Sequence, residues 1–120
     1  GSHTVTHRSL KSLTDAEVAA QLGGAQRFIE EIGGGDVQTL ALPLGISPKN
    51  AELLRACDWQ GQTFRHRAVL LVGAGPAPSP NSPEFNPYRL PRIQAIEGDF
   101  GITYWLDKVE AGDVDVFVAE

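Results

Sequence analysis

Two histidines lie four residues apart in the segment His3-Thr4-Val5-Thr6-His7. Side chains at this spacing point to the same side when the backbone makes a helical turn, so both imidazoles can then reach one ion. Neutral imidazole is a good ligand for zinc and related divalent ions. With a carboxylate as third ligand and one open position, such an ion makes water nucleophilic near neutral pH. The spacing therefore makes His3 and His7 candidate ligands of a divalent metal such as zinc.

The spacing alone leaves two other interpretations of these histidines open. Histidine pairs at this spacing also occur by chance on protein surfaces, where they have no ligand role. In addition, Gly1-Ser2-His3 matches the remnant of a cleaved purification tag. The third histidine, His66, lies between Arg65 and Arg67, and these polar neighbours predict an exposed histidine in a strand.

A long helix is predicted directly after the histidine segment, over residues 14–32. Apolar residues recur there at helical spacing, namely Val18, Leu22, Ala25, Phe28 or Ile29, and Ile32. Thr14 and Glu17 match a capping box at its start, and Gly33-Gly34-Gly35 ends it. The pair Gly23-Gly24 inside the helix permits close packing on a sheet.

The remaining elements alternate between strands and helices. Strands are predicted over residues 37–42, 68–72, 92–96 and 114–118, and helices from Ser47 to about Cys57 and over 101–109, with Trp105 and Leu106 turned inward. A loop over residues 73–91 holds six of the eight prolines. Strands that alternate with helices indicate a parallel α/β layer.

The histidine segment resembles the second motif of the polysaccharide deacetylase family (NodB homology, carbohydrate esterase family 4). In that family, Gly-x-His-Ser/Thr-x-x-His ends a barrel strand, and both histidines bind the metal. Residues Gly1 to His7 follow this pattern. The resemblance implies that His3 and His7 are metal ligands. It also implies an α/β chain that forms a portion of a distorted (β/α) barrel with a parallel sheet.

A second similarity to this family lies in the segment Ala-Leu-Pro-Leu-Gly that ends at Gly45. The family's third motif reads Arg-x-Pro-Tyr-Gly. Pro43 and Gly45 match it, whereas Ala41 replaces the arginine and Leu44 replaces the tyrosine. The resemblance implies that the backbone amide of Leu44 stabilises the oxyanion of the reaction, because this role needs only main-chain atoms.

The resemblance implies hydrolysis of N-acetyl or O-acetyl groups on peptidoglycan, a chitin-like glycan or xylan, at an extracellular or cell-envelope location. Pro43 and Trp59 are the expected substrate contacts, with packing in the core or a groove as the other interpretation of Trp59. The family's Thr-Phe-Asp-Asp-Gly and late Leu-x-His motifs do not occur in the sequence. We therefore expect residues 1–120 to be the later part of a deacetylase domain, without its base and acid motifs.

Two other functions compete with this interpretation. The segment from Val69 to Ala77 is similar to a dinucleotide-binding fingerprint, which requires a helix directly after it. The prolines that follow oppose such a helix, and a helix over residues 76–86 would support nucleotide binding. The other alternative is a non-catalytic remnant of a deacetylase fold that binds glycan through Trp59, Tyr88 or Trp105.

The composition narrows the range of partners. The 120 residues include 10 Lys and Arg against 15 Asp and Glu, which gives a net charge of −5. Such an acidic chain is a poor candidate for binding nucleic acid or an anionic membrane surface. No apolar run approaches the roughly 20 residues of a membrane-spanning helix. Cys57 is the single cysteine, which excludes an internal disulfide, and we expect it to be buried and unreactive.

Overall fold

A computed structural model describes residues 1–118, and within them it has two helices and two sheets. The helices are α1 (Asp15–Glu31) and α2 (Ile102–Glu110), and the strands are β1 (Thr39–Ala41), β2 (Ala56–Trp59), β3 (Gln62–Arg65), β4 (Ala68–Ala74) and β5 (Leu90–Arg92). Short 3-10 turns cover Leu10–Ser12, Pro43–Gly45 and Ala51–Leu54. Neither α1 nor α2 has both the length and the apolar character needed to cross a membrane.

The larger sheet is parallel and has the strand order β1-β4-β5. Leu40 pairs with Val69, and Leu70 pairs with Leu90. Ser2 adds a parallel bridge to Leu40 on the other side of β1. The predicted α/β class with a parallel sheet is confirmed, and the barrel around it stays a prediction.

Helix α1 begins as its sequence predicts. The Glu17 amide donates to the Thr14 hydroxyl (3.3 Å), and the Glu17 carboxylate accepts from the Thr14 amide (2.8 Å). The Thr14 hydroxyl also donates to this carboxylate (2.9 Å), and the bonds from the Thr14 amide, first, and its hydroxyl, second, lower the pKa of Glu17. The buried apolar stripe of the helix consists of Val18, Leu22 and Ala25. Phe28 and Ile32 are exposed, so the buried stripe ends earlier than the periodicity predicts.

The predicted second helix, Ser47 to Cys57, is wrong. A 3-10 turn ends at Leu54, and the chain then enters the antiparallel hairpin β2–β3. Gln60 (φ 49°) and Gly61 (φ 76°) form its two-residue turn. Positive φ at both positions gives a backbone twist that matches paired strands. The apolar spacing before Cys57 could not reveal this pairing, because the partner strand lies further along the chain.

His66 is buried, which corrects the prediction of an exposed histidine. It follows β3, where successive side chains point to opposite faces. Phe64 and His66 therefore share the inner face and are both buried, whereas Arg65 and Arg67 lie on the outer face and are exposed. Because Arg65 and Arg67 lie on the opposite face, their charge does not indicate whether His66 is buried.

The core lies between α1, the hairpin and the first strands of the parallel sheet. Gly23 allows the close approach of helix and hairpin, because a Cβ there would lie 2.8 Å from the Phe64 ring and 3.0 Å from Trp59. The buried cluster consists of Leu10, Leu13, Val18, Ala19, Leu22, Leu40, Leu42, Leu54, Cys57, Phe64 and Val69. This cluster holds the hairpin and α1 against β1 and β4.

The carboxyl-terminal part differs most from the predictions. The strand predicted over residues 92–96 is instead β5, which ends at Arg92, and residues 114–118 form no strand. Helix α2 matches its predicted range but buries no side chain fully, and Leu106 is 62% exposed. The alternating apolar residues of 114–118 find no strand to pair with among residues 1–118.

Residues 76–86 form turns and bends without a helix. A dinucleotide site of the fingerprint type places the pyrophosphate at the start of a helix that follows the glycines. That helix is missing at the required position, so the segment does not form the fingerprint on which the nucleotide-binding alternative depends.

Candidate functional site

His3 lies where the chain leaves the edge of the parallel sheet. The Ser2 amide donates to the Thr39 carbonyl (2.7 Å), and the Ala41 amide donates to the Ser2 carbonyl (2.9 Å). Gly1 fits closely, because a Cβ there would lie 2.5 Å from the Thr39 hydroxyl oxygen. His3 is thus at the carboxyl ends of the strands, the edge at which open α/β sheets usually bind ligands.

The structure brings the rings of His3 and His7 together. Their centroids are 4.8 Å apart, and the ring planes are inclined by 67°. The proximity arises from a tight loop and not from a helical turn, because Thr4 (φ 67°) and His7 (φ 56°) both have left-handed backbone. The two imidazoles are exposed to solvent.

The backbone of β1 orients the His3 ring. Its Nδ1 lies 2.8 Å from the carbonyl oxygen of Ala41. A carbonyl oxygen only accepts, so Nδ1 carries the hydrogen, and Nε2 of the neutral ring keeps its lone pair. Metal-binding histidines are commonly fixed by such a hydrogen bond to a carbonyl. His3 therefore has the orientation and tautomer that suit a metal ligand.

Gln21 of α1 holds the loop between the histidines. Its side-chain oxygen accepts from the amides of Val5 (3.1 Å) and Thr6 (2.9 Å) and from the Thr6 hydroxyl (3.1 Å). Within the loop, the His7 amide donates to the Thr4 hydroxyl (3.3 Å). Gln21 is not identifiable from the sequence, because its one local signal is a polar side chain next to the buried Leu22 of α1.

The two imidazoles supply part of a metal site. Among residues 1–118 there is no group of three or more His, Cys, Asp or Glu side chains arranged to hold an ion. His3 and His7 suit zinc chemically, since neutral imidazole nitrogen is one of its preferred ligands. The two imidazoles can therefore occupy two coordination positions of a divalent metal ion. A complete site requires further ligands besides these two histidines.

The turn after β1 presents the backbone of Leu44. This residue has φ 57° and ψ 9° and is 60% exposed. The next two amides, of Gly45 and Ile46, donate to the carbonyls of Leu42 and Pro43, whereas the Leu44 amide has no acceptor within residues 1–118. Left-handed backbone is uncommon outside glycine, and such strain concentrates at functional sites. The amide is thus available to an oxygen atom at the carboxyl edge of the sheet.

Pro43 lies at the base of this turn, and its ring is fully buried. Gly45 (φ 68°) allows the turn to contact β4, because a Cβ there would lie 2.9 Å from the Val72 amide nitrogen. Through its buried ring, Pro43 can shape the turn that presents Leu44. The substrate contact predicted for Pro43 stays a prediction.

Trp59 lies in a groove beside His3. The open cavity has a volume of about 660 Å³, and its lining includes His3, Val5, Phe28 and Trp59. The Trp59 ring is half-buried, with the Arg27 guanidinium carbon 4.8 Å from its centroid. Both interpretations of Trp59 are thus compatible with its place, because it packs on the core and also lines the groove.

The comparison with known families gives one match. The sequence model of the family described as polysaccharide deacetylase matches residues 1–61 of the 120. This range contains the histidine loop, α1, the Leu44 turn and β2. No curated protein and no solved structure gives a significant match.

Proposed function

The chain belongs to the polysaccharide deacetylase family, and we propose that it serves in the metal-dependent hydrolysis of acetyl groups on a polysaccharide. A deacetylase-type function follows from the family match. We propose in addition that the reaction depends on a metal ion and that the acetyl group is attached to nitrogen or oxygen. The observation that carries it is the pair of adjacent imidazoles, with the His3 ring fixed by Ala41, at the carboxyl edge of the sheet.

In this proposal, His3 and His7 hold a divalent ion, with zinc as the expected metal. When bound, such an ion supplies Lewis acidity toward an acetyl carbonyl and toward water. The Ala41 carbonyl keeps Nε2 of His3 available as a ligand atom. Gln21 keeps the loop in the conformation that places the two rings side by side. The His3 ring is therefore oriented, and the loop that carries His7 is held, before any ion arrives.

The Leu44 amide is the proposed donor to the oxyanion of the tetrahedral intermediate. An amide fixed in advance and aimed at developing charge stabilises the transition state more than the substrate. The unused hydrogen-bonding capacity of this amide and its left-handed backbone support the assignment. The role does not require a tyrosine side chain, so leucine at this position is compatible with it.

The groove beside His3 is the proposed path of the glycan. Trp59 and Phe28 line it, and aromatic rings offer flat apolar surface with a large contact area. Peptidoglycan, chitin-like glycans and xylan are the candidate substrates. Such polymers lie outside the cell membrane, so we place the activity in the extracellular space or the cell envelope.

Zinc binding provides the first test. We expect the 120-residue chain to bind one equivalent of zinc, and His3→Ala and His7→Ala each to weaken binding at least about tenfold through loss of a ligand. Arg8→Ala, a change at an exposed neighbour, serves as the control and should bind like the original chain. Absence of zinc binding by a chain that is folded by circular dichroism would count against the metal site.

Acetate release provides the second test. The zinc-loaded chain is incubated with acetylated chitin oligomers, acetylated xylan and peptidoglycan, which separates N-acetyl from O-acetyl hydrolysis. Release that stops on chelation supports the proposal. Glycan binding that persists after chelation, without acetate release, supports instead a non-catalytic glycan-binding remnant.

A further inference from the structure

A second cavity lies at the opposite, amino-terminal edge of the parallel sheet. It has a volume of about 630 Å³, within the range of small-molecule sites. Its charged, polar and aromatic lining consists of Glu52, Arg55, Arg65, His66, Arg67 and Tyr88. Arg67 and Tyr88 precede β4 and β5 of the parallel sheet, and Arg65 belongs to the hairpin β2–β3, so both sheets contribute to the wall of the cavity.

Three arginines give this cavity an excess of positive charge. None of them forms an ion pair within residues 1–118, where the single salt bridge joins Lys108 to Asp113. Glu52 is the one acidic side chain in the lining. The Arg55 guanidinium carbon lies 4.6 Å from the centroid of the Tyr88 ring. In a chain with net charge −5, this concentration of unpaired guanidinium groups favours an anionic ligand.

His66 also lines this cavity, and one nitrogen of its buried ring lacks a hydrogen-bond partner. It is 2% exposed, and its Nδ1 lies 3.2 Å from the Leu54 carbonyl oxygen. The carbonyl requires the hydrogen on Nδ1, so Nε2 of the neutral ring carries a lone pair. Nε2 is buried and has no hydrogen-bond partner within residues 1–118. Burial lowers the pKa of His66, which keeps this acceptor form at neutral pH.

We propose that this cavity binds a hydroxylated carboxylate of the sugar-acid class. The carboxylate contacts the guanidinium groups, whose planar geometry suits two parallel hydrogen bonds. A sugar hydroxyl donates to Nε2 of His66 and satisfies the buried acceptor, while the Tyr88 and Arg55 pair forms part of the wall. The site uses neither His3 nor His7 and does not rest on the proposed function.

Calorimetric titration of the 120-residue chain tests the ligand class. The probes are glucuronate, glucose, acetate and inorganic phosphate. Glucuronate carries both the carboxylate and the hydroxyls, so we expect it to bind at least about tenfold more tightly than each of the other three, as expected for an added charged or hydroxyl hydrogen bond. Histidine side-chain nitrogen spectra should show the Nε2 resonance of His66 shifting with glucuronate and staying in place with acetate.

Charge-matched variants test the location. Arg65→Gln and Arg67→Gln should each weaken glucuronate binding by about tenfold or more, because each removes a charge-assisted hydrogen bond. Lys49→Gln removes one positive charge at an exposed position outside the cavity and should leave the affinity unchanged. His3→Ala and His7→Ala should also retain glucuronate binding, which separates this site from the metal site.

Three results would overturn the proposal. Phosphate or acetate that binds as tightly as glucuronate would indicate a general anion site without hydroxyl recognition. An equal loss of binding in Lys49→Gln would indicate attraction by overall charge. No response of His66 in a folded chain saturated with glucuronate would remove the hydroxyl contact.

Discussion

The residues that fix the histidine loop matter as much as the two histidines. His3 takes its orientation from a backbone carbonyl, and the loop to His7 takes its conformation from the side-chain oxygen of Gln21. Two residues in that loop have left-handed backbone, which side chains other than glycine adopt at a cost. Gln21 is therefore a positioning residue whose removal should be detectable at the metal.

Gln21→Ala should lower the zinc affinity of the chain by about tenfold, the smaller end of the range typical when groups that orient ligands are removed. The amides of Val5 and Thr6 lose their acceptor, so the loop no longer holds His3 and His7 side by side. Isothermal titration with zinc measures the change. Gln94→Ala, at an exposed glutamine that forms none of the loop's side-chain hydrogen bonds, is the control. Equal affinities in both variants would show that the loop holds its shape without Gln21.

The role of some residues in the site can be predicted from the sequence, and the role of others cannot. His3 and His7 are identifiable because residue type and spacing define the candidate ligands, and the structure places their rings in proximity. Leu44 is identifiable from its place in a motif. Gln21 and His66 are not, because their roles depend on contacts with residues at least 12 positions away. For His66, the sequence indicates a strand, but its charged neighbours suggest exposure although they lie on the opposite face of that strand.

The contact between α1 and the hairpin β2–β3 shows how one element positions another. Gly23 faces the Phe64 ring and Trp59, so the helix backbone lies directly on the aromatic side chains of the hairpin. A Cβ at Gly24 would meet the end of the exposed Val5 side chain at 3.2 Å and would lie at ordinary contact distance, 3.6 Å, from the Trp59 ring. The two neighbouring glycines therefore differ in what an added methyl group would meet.

Gly23→Ala should be less stable than Gly24→Ala by about 1–3 kcal/mol, the usual cost of overpacking a core. At position 24, the exposed Val5 side chain can move, and alanine should add up to about 1 kcal/mol through its better helix propensity. Urea unfolding followed by circular dichroism gives both free energies of unfolding. The close approach seen here would be contradicted by two variants of equal stability.

Elements with local signals are the ones that the sequence predicts well. Helix α1 has a capping box and a glycine stop, and β4 is a continuous apolar run, so both agree with their predicted ranges to within two residues. The hairpin and residues 114–118 were predicted wrongly because strand formation depends on a partner elsewhere in the chain. Cys57 pairs with Phe64 of the neighbouring strand, whereas residues 114–118 pair with no strand among residues 1–118.

The whole molecule is elongated and unevenly packed. Its radius of gyration is 16.2 Å, against about 13.5 Å for a compact domain of this length. The residues of the buried cluster all lie between Leu10 and Val69, and α2 buries none of its side chains fully. The family match over residues 1–61 covers most of this cluster.

The parallel sheet is predictable from the order of elements along the chain. The uneven packing is not, because composition does not show which apolar residues are buried against others.

Acid should destabilise the whole fold through His66. Burial holds its folded pKa below the ordinary value of 6.5, and this effect outweighs the hydrogen bond to the Leu54 carbonyl, which acts in the opposite direction. Below pH 6.5, the unfolded chain takes up a proton that the folded chain resists. The stabilisation is therefore present above pH 6.5 and is lost as the pH falls through the folded pKa.

Urea unfolding at several values between pH 7 and about pH 5 measures this dependence. The His66→Gln variant should be less stable at pH 7 but show a flatter dependence over the same interval, since its side chain does not titrate. His3→Gln, at an exposed histidine, is the matched control and should keep the slope of the original chain. Identical slopes in all three proteins would assign the acid sensitivity to other groups.

Cys57 gives the fold an internal reporter of its own opening. The thiol is buried opposite Phe64, and burial, aided by Asp58, raises its pKa. The exposed thiolate is the form that attacks thiol reagents, so these modify Cys57 only in molecules whose hairpin has separated from α1. The chain contains neither a second cysteine nor a methionine to consume the reagent. The labelling rate of the native protein therefore measures how often this contact opens.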